Sequence, residues 1–415
     1  MTMKLYDELL ARGAVAQITD DELITQLNSS SLTFYLGIDP TGDSLHVGHL
    51  FGLINCRRLQ DAGHKPVLLV GGATGMIGDP SGKSAERNLL DQAAIDHNVA
   101  SLNAQISKLI DAKMVNNYAW TQSYDVISFL RDIGKHFSIN TMIAKDSVKS
   151  RLDSGISYTE FSYQVLQALD YYHLYKDEGV RLQVGGTEQW GNITAGLDLI
   201  RRILAPNEQA YGLCWDLITK SDGTKFGKTE QGAIWLDPEK TTPYAFYQFW
   251  YNTADEDAIR YLKKFTFLSL DEIAAIQQQM NEAPQERAAQ HRLAEELTTL
   301  IHSSQATADA IRVSNALFNQ DYDSLTLEEV KAGFQDVATI TIQSMNILDV
   351  LTETGLASSK SEARRYVESG GITLNHQRID SIDVEVNPST AIHGSFSVLR
   401  RGKKQYAMIL FSTTI

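Results

Sequence analysis

The chain has 415 residues, 43% hydrophobic and 21% charged, which is enough for two or three domains with cores of their own. Its net charge of −14 argues against an overall electrostatic attraction to nucleic acid, although it leaves room for a local basic patch. No apolar run approaches the ~20 residues of a membrane span, and the two cysteines, Cys56 and Cys214, exclude a disulfide framework. The start of the chain lacks the apolar centre of a secretion signal, so we expect a cytoplasmic protein.

The first predicted elements form a strand–helix–strand unit. Residues 32–38, LTFYLGI, alternate as a strand does, and the turn-forming residues DPTGDS follow. From Val47 to Ala62 the apolar residues recur with helical spacing, Gly63 marks the helix end, and residues 65–71 predict a buried strand. Such a unit is a parallel, right-handed crossover.

The HVGH sequence at residues 46–49 lies where this helix begins, at the sheet edge where open α/β folds bind ligands. His46 and His49 could be surface residues or part of a metal site. A zinc site needs a third ligand, and no neighbouring group has suitable spacing, so no metal is predicted. A helix N-terminus favours anions, and Gly48 leaves room for a flat ligand, which together suit a nucleotide with a phosphate tail.

The glycine-rich residues 71–84, GGATGMIGDPSGKS, resemble a Walker A loop only at their end. Gly82-Lys83-Ser84 fits, but the first glycine should be at position 77, which is Ile, and Gly78 is one residue out of place. The loop therefore predicts close backbone approach to a ligand without P-loop geometry, which disfavours a P-loop NTPase.

A second loop of small residues, SDGTKFGKTEQG at 221–232, places Lys225 and Lys228 on either side of Phe226-Gly227. Lysines in such a loop are usually only solvated. Flexible lysines beside glycines can also fold over a polyphosphate and neutralise its charge.

Residues 160–173, EFSYQVLQALDYYH, predict a helix with a polar stripe. Tyr163, Gln167 and Asp170 are spaced i, i+4 and i+7, so one face carries all three. The stripe indicates a ligand site, the alternative being ordinary helix surface.

Later segments predict helices over 245–320, including one from Pro284 through His302. Weaker periodicity predicts a linker at 326–344. Residues 345–415 then hold eight Lys and Arg against seven Asp and Glu, a net +1 against −15 for the remainder.

This last segment predicts a short basic helix, capped by Ser358 or Ser359 and stopped by Gly370-Gly371, then a hairpin and a terminal strand. A solvated charged helix is one interpretation. Basic groups on the helix and the strand end together favour phosphate contacts on structured RNA. These groups are Lys360, Arg364, Arg365, Arg400, Arg401, Lys403 and Lys404.

The motifs together resemble a known family. HVGH followed far downstream by KFGKT resembles the two signatures of the aminoacyl-tRNA synthetases with a Rossmann catalytic domain. YLGIDPTGDSLHVGHL, GGATGMIGDPSGK, EFSYQVLQALD, LQVGGTEQWGNI and DGTKFGKTE, in this order, resemble the bacterial tyrosyl-tRNA synthetase family over essentially the whole chain.

The resemblance implies an α/β, Rossmann-like parallel-sheet catalytic domain at 1–230, with a homodimer-forming insertion at about 125–160. An α-helical anticodon-recognition domain at 231–325, the linker and a small α+β S4-like RNA-binding domain at 345–415 would follow.

The resemblance also implies the reaction, in which ATP activates tyrosine to tyrosyl-adenylate before transfer to tRNA(Tyr). ATP is then a substrate with Mg as its counter-ion, and no cofactor is bound permanently. The catalytic group would be Thr41, His46, His49, Lys83, Arg87, Lys225 and Lys228. Tyrosine would be bound by Tyr35, Asp79, Tyr163, Gln167, Asp170 and Gln189. ATP would be bound by Gly37, Asp39, Gly48, Gly186, Glu188 and Lys228.

Two positions depart from the family pattern. Glu188 stands where Asp is common for the ribose hydroxyls, and Leu36 stands where Cys is frequent. The rival interpretations are a tryptophan-specific synthetase, against which Tyr35 and Asp170 argue, and an RNA-binding protein whose catalytic domain is silent, against which the intact HVGH and KFGKT sequences argue.

Overall fold

The computed structural model describes residues 3–81, 90–149, 151–152, 155–224, 226–229, 232–334, 337–402 and 405–412. The chain divides into two units, Met1–Thr241 with Phe249–Ile301 and Thr242–Gln248 with His302–Ile415. Among the residues in these ranges, no helix is both long and apolar enough to cross a bilayer.

The first unit is built on a mixed sheet. Its strands are β1 (Gln17–Ile18), β2 (Thr33–Ile38), β3 (Lys65–Val70), β4 (Lys113–Asn116), β5 (Leu182–Gly186) and β6 (Tyr211–Trp215). In the described part of the chain their order is β1-β6-β5-β2-β3-β4. Strands β2 to β6 are parallel and β1 is antiparallel to β6, which confirms a Rossmann-like α/β fold with one added antiparallel edge strand.

Helices precede and connect these strands along the chain. Up to β6 they are α1 (Leu5–Ala11), α2 (Glu22–Ser29), α3 (Val47–Asp61), α4 (Thr74–Ile77), α5 (Gln92–Ile106), α6 (Tyr118–Thr121), α7 (Val126–Ser128), α8 (Ile139–Ile143), α9 (Asp146–Lys149), α10 (Tyr158–Glu178) and α11 (Trp190–Ile203). The predicted first strand, helix and second strand are confirmed as β2, α3 and β3, because their apolar patterns match the burial that each element has.

The strand order positions a ligand site. Strand β2 pairs with β3 on one side and with β5 on the other, so the direction in which the chain adds strands reverses between β2 and β5. Side chains and loops diverge at the carboxyl ends of two such strands, which leaves a crevice.

The segment predicted as a dimer-forming insertion contains α7 to α9 with a π-helical turn at Phe129–Ile133 and a 3-10 turn at Gly134–His136. Several of its large apolar side chains are exposed. They are Val126, Ile127, Leu130, Ile139, Ile143, Leu152 and Tyr158.

After the sheet come a short hairpin and more helices. These elements are β7 (Lys228–Thr229), β8 (Gly232–Ala233), α12 (Pro243–Tyr251), α13 (Asp255–Phe265), α14 (Leu270–Glu282) and α15 (Ala288–Ile301). The predicted helix from Pro284 to His302 is interrupted, since Pro284–Glu286 is a 3-10 turn and Arg287 has a left-handed φ of 52°. The guanidinium of Arg287 donates to the carbonyl oxygens of Tyr251 and Thr253, which holds it there.

The second unit has a sheet of its own. Its remaining elements are α16 (Ser304–Asn319), α17 (Leu327–Gly333), β9 (Ala338–Ile342), β10 (Met345–Asn346), α18 (Ile347–Glu353), α19 (Lys360–Glu368), β11 (Ile372–Leu374), β12 (Gln377–Arg378), β13 (Glu385–Val386), β14 (Phe396–Arg401) and β15 (Gln405–Phe411). The order β12-β11-β14-β15-β9 is mostly antiparallel, with β9 parallel to β15.

The prediction that 326–344 is a linker was wrong. Helix α17 begins with a capping box in which Thr326 and Glu329 satisfy each other's backbone N–H groups, and β9 forms an edge of the C-terminal sheet. The predicted basic helix, its Ser359 cap and the ITLNHQRI hairpin are confirmed as α19, β11 and β12.

Candidate active site

A cavity of about 240 Å³ lies at the carboxyl ends of β2 and β5, at the reversal of strand order. The sequence-predicted residues that line it are Tyr35, Gly37, Asp39, Thr41, Gly48, His49, Asp79, Tyr163, Gln167, Asp170, Gly186, Glu188 and Gln189. Its described wall carries four carboxyl groups and no lysine or arginine.

One end of the cavity is polar but deeply buried. Asp170, on α10, is 2% exposed and accepts hydrogen bonds from Asn117 Nδ2 at 2.9 Å and Trp120 Nε1 at 2.8 Å. Burial raises the pKa of Asp170 to about 7, against the effect of these two donors. The carboxylate is thus oriented by the protein and poised to gain or lose a proton near neutral pH.

Beside Asp170, Tyr35 on β2 is 1% exposed, and its hydroxyl has no hydrogen-bond partner among the described residues. Burial raises the pKa of Tyr35 well above its usual value, and the negative charge of Asp170 adds to this. An orphaned buried hydroxyl costs free energy, so the arrangement fits a ligand that supplies the missing partner.

A second set of carboxylates lies along the same cavity. Asp39 Oδ2 accepts from the Tyr163 hydroxyl at 2.9 Å, and Asp39 Oδ1 accepts from Thr74 Oγ1 at 2.8 Å. Asp79 Oδ2 accepts from Gln189 Nε2 at 2.7 Å. The hydrogen bond between Asp39 and Tyr163 joins a residue predicted to contact ATP to one predicted to contact tyrosine.

The HVGH sequence forms the N-terminus of α3. His46 is the N-cap, and its Nδ1 accepts the N–H of Gly48 at 3.0 Å, while His49 Nδ1 accepts the N–H of His46 at 3.2 Å. The rings stack with centroids 4.0 Å apart. Because each Nδ1 accepts, each neutral ring carries its proton on Nε2, which makes Nε2 the donor.

Gly48 is required by this geometry, since a Cβ there would lie 2.7 Å from the His46 ring. Of the two histidines only His49 lines the cavity, so the structure does not place His46 in the cavity wall.

The two residues that depart from the family pattern are both in the wall. Leu36 is 8% exposed and contributes an apolar contact only. The Glu188 carboxylate lies against Gly186, where a Cβ would be 2.2 Å from Glu188 Oε2. Gly186 therefore allows the glutamate to fold onto the backbone at the end of β5.

Several predicted site residues lie outside the residues that the structure describes. Lys83, Arg87, Lys225, Lys403 and Lys404 are not among the described residues, and of Lys228 only its place in β7 is given.

Of the basic C-terminal residues, Lys360, Arg364 and Arg365 are exposed on α19. Arg400 and Arg401 are partly buried in β14, and the Arg401 guanidinium donates to the carbonyl of Leu356.

Sequence reasoning missed the residues that support the pocket. Asn117 and Trp120 orient Asp170, Thr74 holds Asp39, and Asn192 donates to Gln189 Oε1 at 3.1 Å. The position of Asn117 directly after β4, at the carboxyl edge of a parallel sheet, is the signal that could have identified it.

Comparison with known proteins shows the family to which this fold belongs. Residues 27–319 match the family of class I tRNA synthetases (W and Y), and residues 329–409 match the tyrosine--tRNA ligase SYY-like C-terminal domain. The chain is 50% identical over 418 residues to the tyrosine--tRNA ligase of Listeria innocua serovar 6a, covering 99% of this chain and 100% of that protein. It is also 50% identical over 420 residues to the tyrosine--tRNA ligase of Geobacillus stearothermophilus, with the same coverage.

A solved structure shows the same relationship. The C-terminally truncated mitochondrial tyrosyl-tRNA synthetase of Aspergillus nidulans superposes with a TM-score of 0.68 and 30% identity, covering 76% of this chain and 94% of that one. The fold is thus that of a class I tRNA synthetase. The chain belongs to the tyrosine–tRNA ligase family, which confirms the resemblance drawn from the motifs.

Proposed function

We propose that the chain joins tyrosine to tRNA(Tyr) by way of tyrosyl-adenylate and that the cavity between β2 and β5 is the site of activation. The observation that carries this proposal is the buried pair of Tyr35 and Asp170 at one end of the cavity. A phenol placed between them donates its proton to the carboxylate and accepts from the Tyr35 hydroxyl. Phenylalanine would leave the Tyr35 hydroxyl without a partner and would give the Asp170 carboxylate no donor beyond Asn117 and Trp120.

The substrate ammonium belongs at the second set of polar groups, where Asp79, Tyr163 and Gln167 line the cavity. The Asp79 carboxylate supplies the charge that an ammonium needs in a largely buried site. Gln189, bonded to Asp79, fixes the direction of that carboxylate.

Activation needs a carboxylate oxygen of tyrosine to attack the α-phosphorus of ATP. A new bond from that oxygen to phosphorus forms, the bond to the β-phosphate oxygen breaks, and pyrophosphate leaves with the electron pair. The carboxylate is already ionised, so no general base is required, and the work of the protein is positioning and stabilisation of charge.

The backbone N–H groups of residues 46–49 already have acceptors within the protein. The N-terminus of α3 therefore suits the phosphates through the positive end of its helix dipole and through the Nε2–H donors of His46 and His49. Thr41 and Gly37 complete this wall. The four carboxyl groups of the described wall repel ATP, so the neutralising charges must come from elsewhere. Lys83, Arg87, Lys225 and Lys228 are our candidates.

No group of three or more His, Cys, Asp or Glu in the described ranges could hold a metal ion. Mg²⁺ would arrive with ATP as a counter-ion on its phosphates.

The exposed apolar side chains of the 125–160 segment, such as Val126, Ile127 and Tyr158 at 69 to 73% exposure, support a homodimer. Exposed Lys360, Arg364 and Arg365 on α19 support phosphate contacts with tRNA(Tyr). Both cysteines are free and buried, which accords with our proposal of a cytoplasmic protein.

The test is ATP–pyrophosphate exchange with each of the twenty amino acids. We expect exchange with tyrosine alone. Exchange with tryptophan instead would favour the other amino acid of this enzyme class, and no exchange with any of them would mean a silent catalytic domain.

A further inference from the structure

Helix α13 holds the segment that leads into the KFGKT sequence. Asp257, in its first turn, is 3% exposed and accepts from the backbone N–H of Ser221 at 3.1 Å and from Ser221 Oγ at 3.3 Å. One turn later, Arg260 and Tyr261 donate to the carbonyl oxygen of Thr219 at 2.6 and 3.2 Å. The segment is thus fixed by hydrogen bonds to one helix.

The same helix receives the aromatic ring of the KFGKT sequence. The Phe226 ring stacks on Phe265 with centroids 5.3 Å apart and an interplanar angle of 22°, and it meets Tyr261 edge-on at 5.2 Å. Phe249 and Trp250 of α12 close the cluster at 5.8 and 5.7 Å. Such ring contacts restrict a loop residue more than exposure to solvent would.

The next residue brings the loop against the HVGH helix. Gly227 has a φ of 76°, and a Cβ there would lie 2.8 Å from Val47 Cγ2 and 3.6 Å from the backbone nitrogen of Gly48. Its carbonyl oxygen accepts the N–H of Ile234, whose own carbonyl accepts the N–H of Val47. The position of Phe226 therefore sets how the KFGKT loop meets the start of α3.

The far end of α13 is tied to the same helix α3. Arg58, 6% exposed, donates from Nη2 to the carbonyl oxygens of Lys263 and Thr266 at 3.1 and 2.7 Å. Phe51 of α3 packs on Phe265 at 5.6 Å. A cation at a helix C-terminus is also favoured by the helix dipole.

We propose that α13 holds the KFGKT loop in position against the N-terminus of α3. Asp257 and Phe226 are then positioning residues for adenylate formation. The inference rests on the proposed function, because it assumes that ATP reacts between these two sequences. Neither residue lines the cavity, so each acts through the loop.

The test uses the full chain with Asp257→Asn and Phe226→Leu, and Asp255→Asn as the matched control. Asp255 is in the same first turn, but its carboxylate accepts from Gln290 Nε2 at 2.5 Å, and no hydrogen bond joins it to the described residues of the loop. Stopped-flow measurement with saturating ATP gives the rate of adenylate formation, and equilibrium titration gives the tyrosine Kd.

We expect both variants to slow adenylate formation by roughly tenfold to a hundredfold, since small misplacements of reacting groups have effects of this size. The tyrosine Kd and the melting temperature of Phe226→Leu should stay near wild type. The rate of adenylate formation in the double variant should fall by less than the product of the two single effects, because both residues act by holding the loop on α13. Asp255→Asn should react at the wild-type rate.

Wild-type rates in both variants would overturn the proposal, and so would a tyrosine Kd that weakens in parallel with the rate. If Asp257→Asn does not fold, Phe226→Leu decides the question alone, since leucine retains most of the buried volume. Wild-type protein that shows no tyrosine-dependent exchange would instead overturn the proposed function and this inference with it.

Discussion

Asp170 shows how burial and hydrogen bonding oppose each other at a single residue. Desolvation raises its pKa, while Asn117 and Trp120 donate to both carboxylate oxygens and favour the ionised form. The sequence predicted Asp170 from its helical spacing to Tyr163 and Gln167. It did not predict Asn117 or Trp120, because these reach Asp170 only through the packing of β4 and α6 beside α10.

Tyr35→Phe should not destabilise the free protein. The change removes a buried hydroxyl without a partner in the described structure, and such groups cost about 1–3 kcal/mol. Tyrosine affinity should fall roughly tenfold through loss of one hydrogen bond. Thermal unfolding and tyrosine titration measure the two effects.

Tyr171→Phe is the matched control. Its hydroxyl is also buried but lies 2.7 and 3.1 Å from the carbonyl oxygens of Tyr211 and Arg181, so its loss should lower stability by about 1 kcal/mol. Equal destabilisation by the two substitutions would contradict the unpaired state of Tyr35.

Tyrosine binding should strengthen as the pH rises through about 7. Asp170 must be ionised to accept the phenol proton, and its pKa of about 7 implies a loss of up to about tenfold in affinity per pH unit below that value. The ordinary pKa of an aspartate is 3.8, so the folded protein holds this proton more tightly than the unfolded chain does. Folding stability should therefore fall as the pH rises from about 4 to about 7.

Titration calorimetry across this range measures the affinity. Asp170→Asn should bind weakly at every pH, with no inflection near 7. A wild-type affinity that stays constant from about pH 5 to about pH 8 would place the pKa of Asp170 elsewhere.

At the scale of single elements, the sequence predicted well those helix and strand boundaries that neighbouring residues determine. The N-terminus of α3 follows from His46 as a cap and from Gly48, both within one turn. Strand β9 was missed although its Thr and Ile residues favour a strand, because its hydrogen bonds go to β15, about 70 residues along the chain. The break at Arg287 likewise depends on carbonyl groups of another helix end.

His46→Asn and His46→Ala should separate the two roles of the N-cap. Asparagine caps helices well, so it should keep stability near wild type, whereas alanine should cost about 1 kcal/mol. Both lack the Nε2 donor, so both should slow adenylate formation far more than they weaken tyrosine binding. Wild-type rates in His46→Asn would reduce His46 to a cap.

At the scale of the whole molecule, the two units change how the RNA-binding role can be tested. Deletion of 345–415 would remove the partner strand of β9 and uncover the core that Val330 and Phe334 share with Phe396, Val398 and Met408. Truncation at 345 would therefore damage the second unit as well as remove its cations. Composition predicted a distinct basic segment but not where its core begins.

Neutralising exposed cations avoids this problem. Lys360→Ala with Arg364→Ala should weaken tRNA(Tyr) binding and charging but leave tyrosine-dependent exchange unchanged. If both residues contact phosphates, the slope of log K against log salt should fall by about 1.4–1.8. Lys65→Ala is the control, because Lys65 lies at the amino end of β3 and the cavity lies at the carboxyl ends of the strands. It should change neither tRNA(Tyr) binding nor tyrosine-dependent exchange. Full charging by the double variant would exclude α19 as a phosphate-contacting helix.

The most direct measurement is the ratio of kcat/KM for pyrophosphate exchange with tyrosine to that with phenylalanine, in the full-length wild type and in Tyr35→Phe. The buried pair of Tyr35 and Asp170 predicts a large preference for tyrosine in the wild type, and a preference roughly tenfold smaller in the variant. An unchanged ratio in a folded and active Tyr35→Phe protein would contradict the assignment of this cavity to tyrosine.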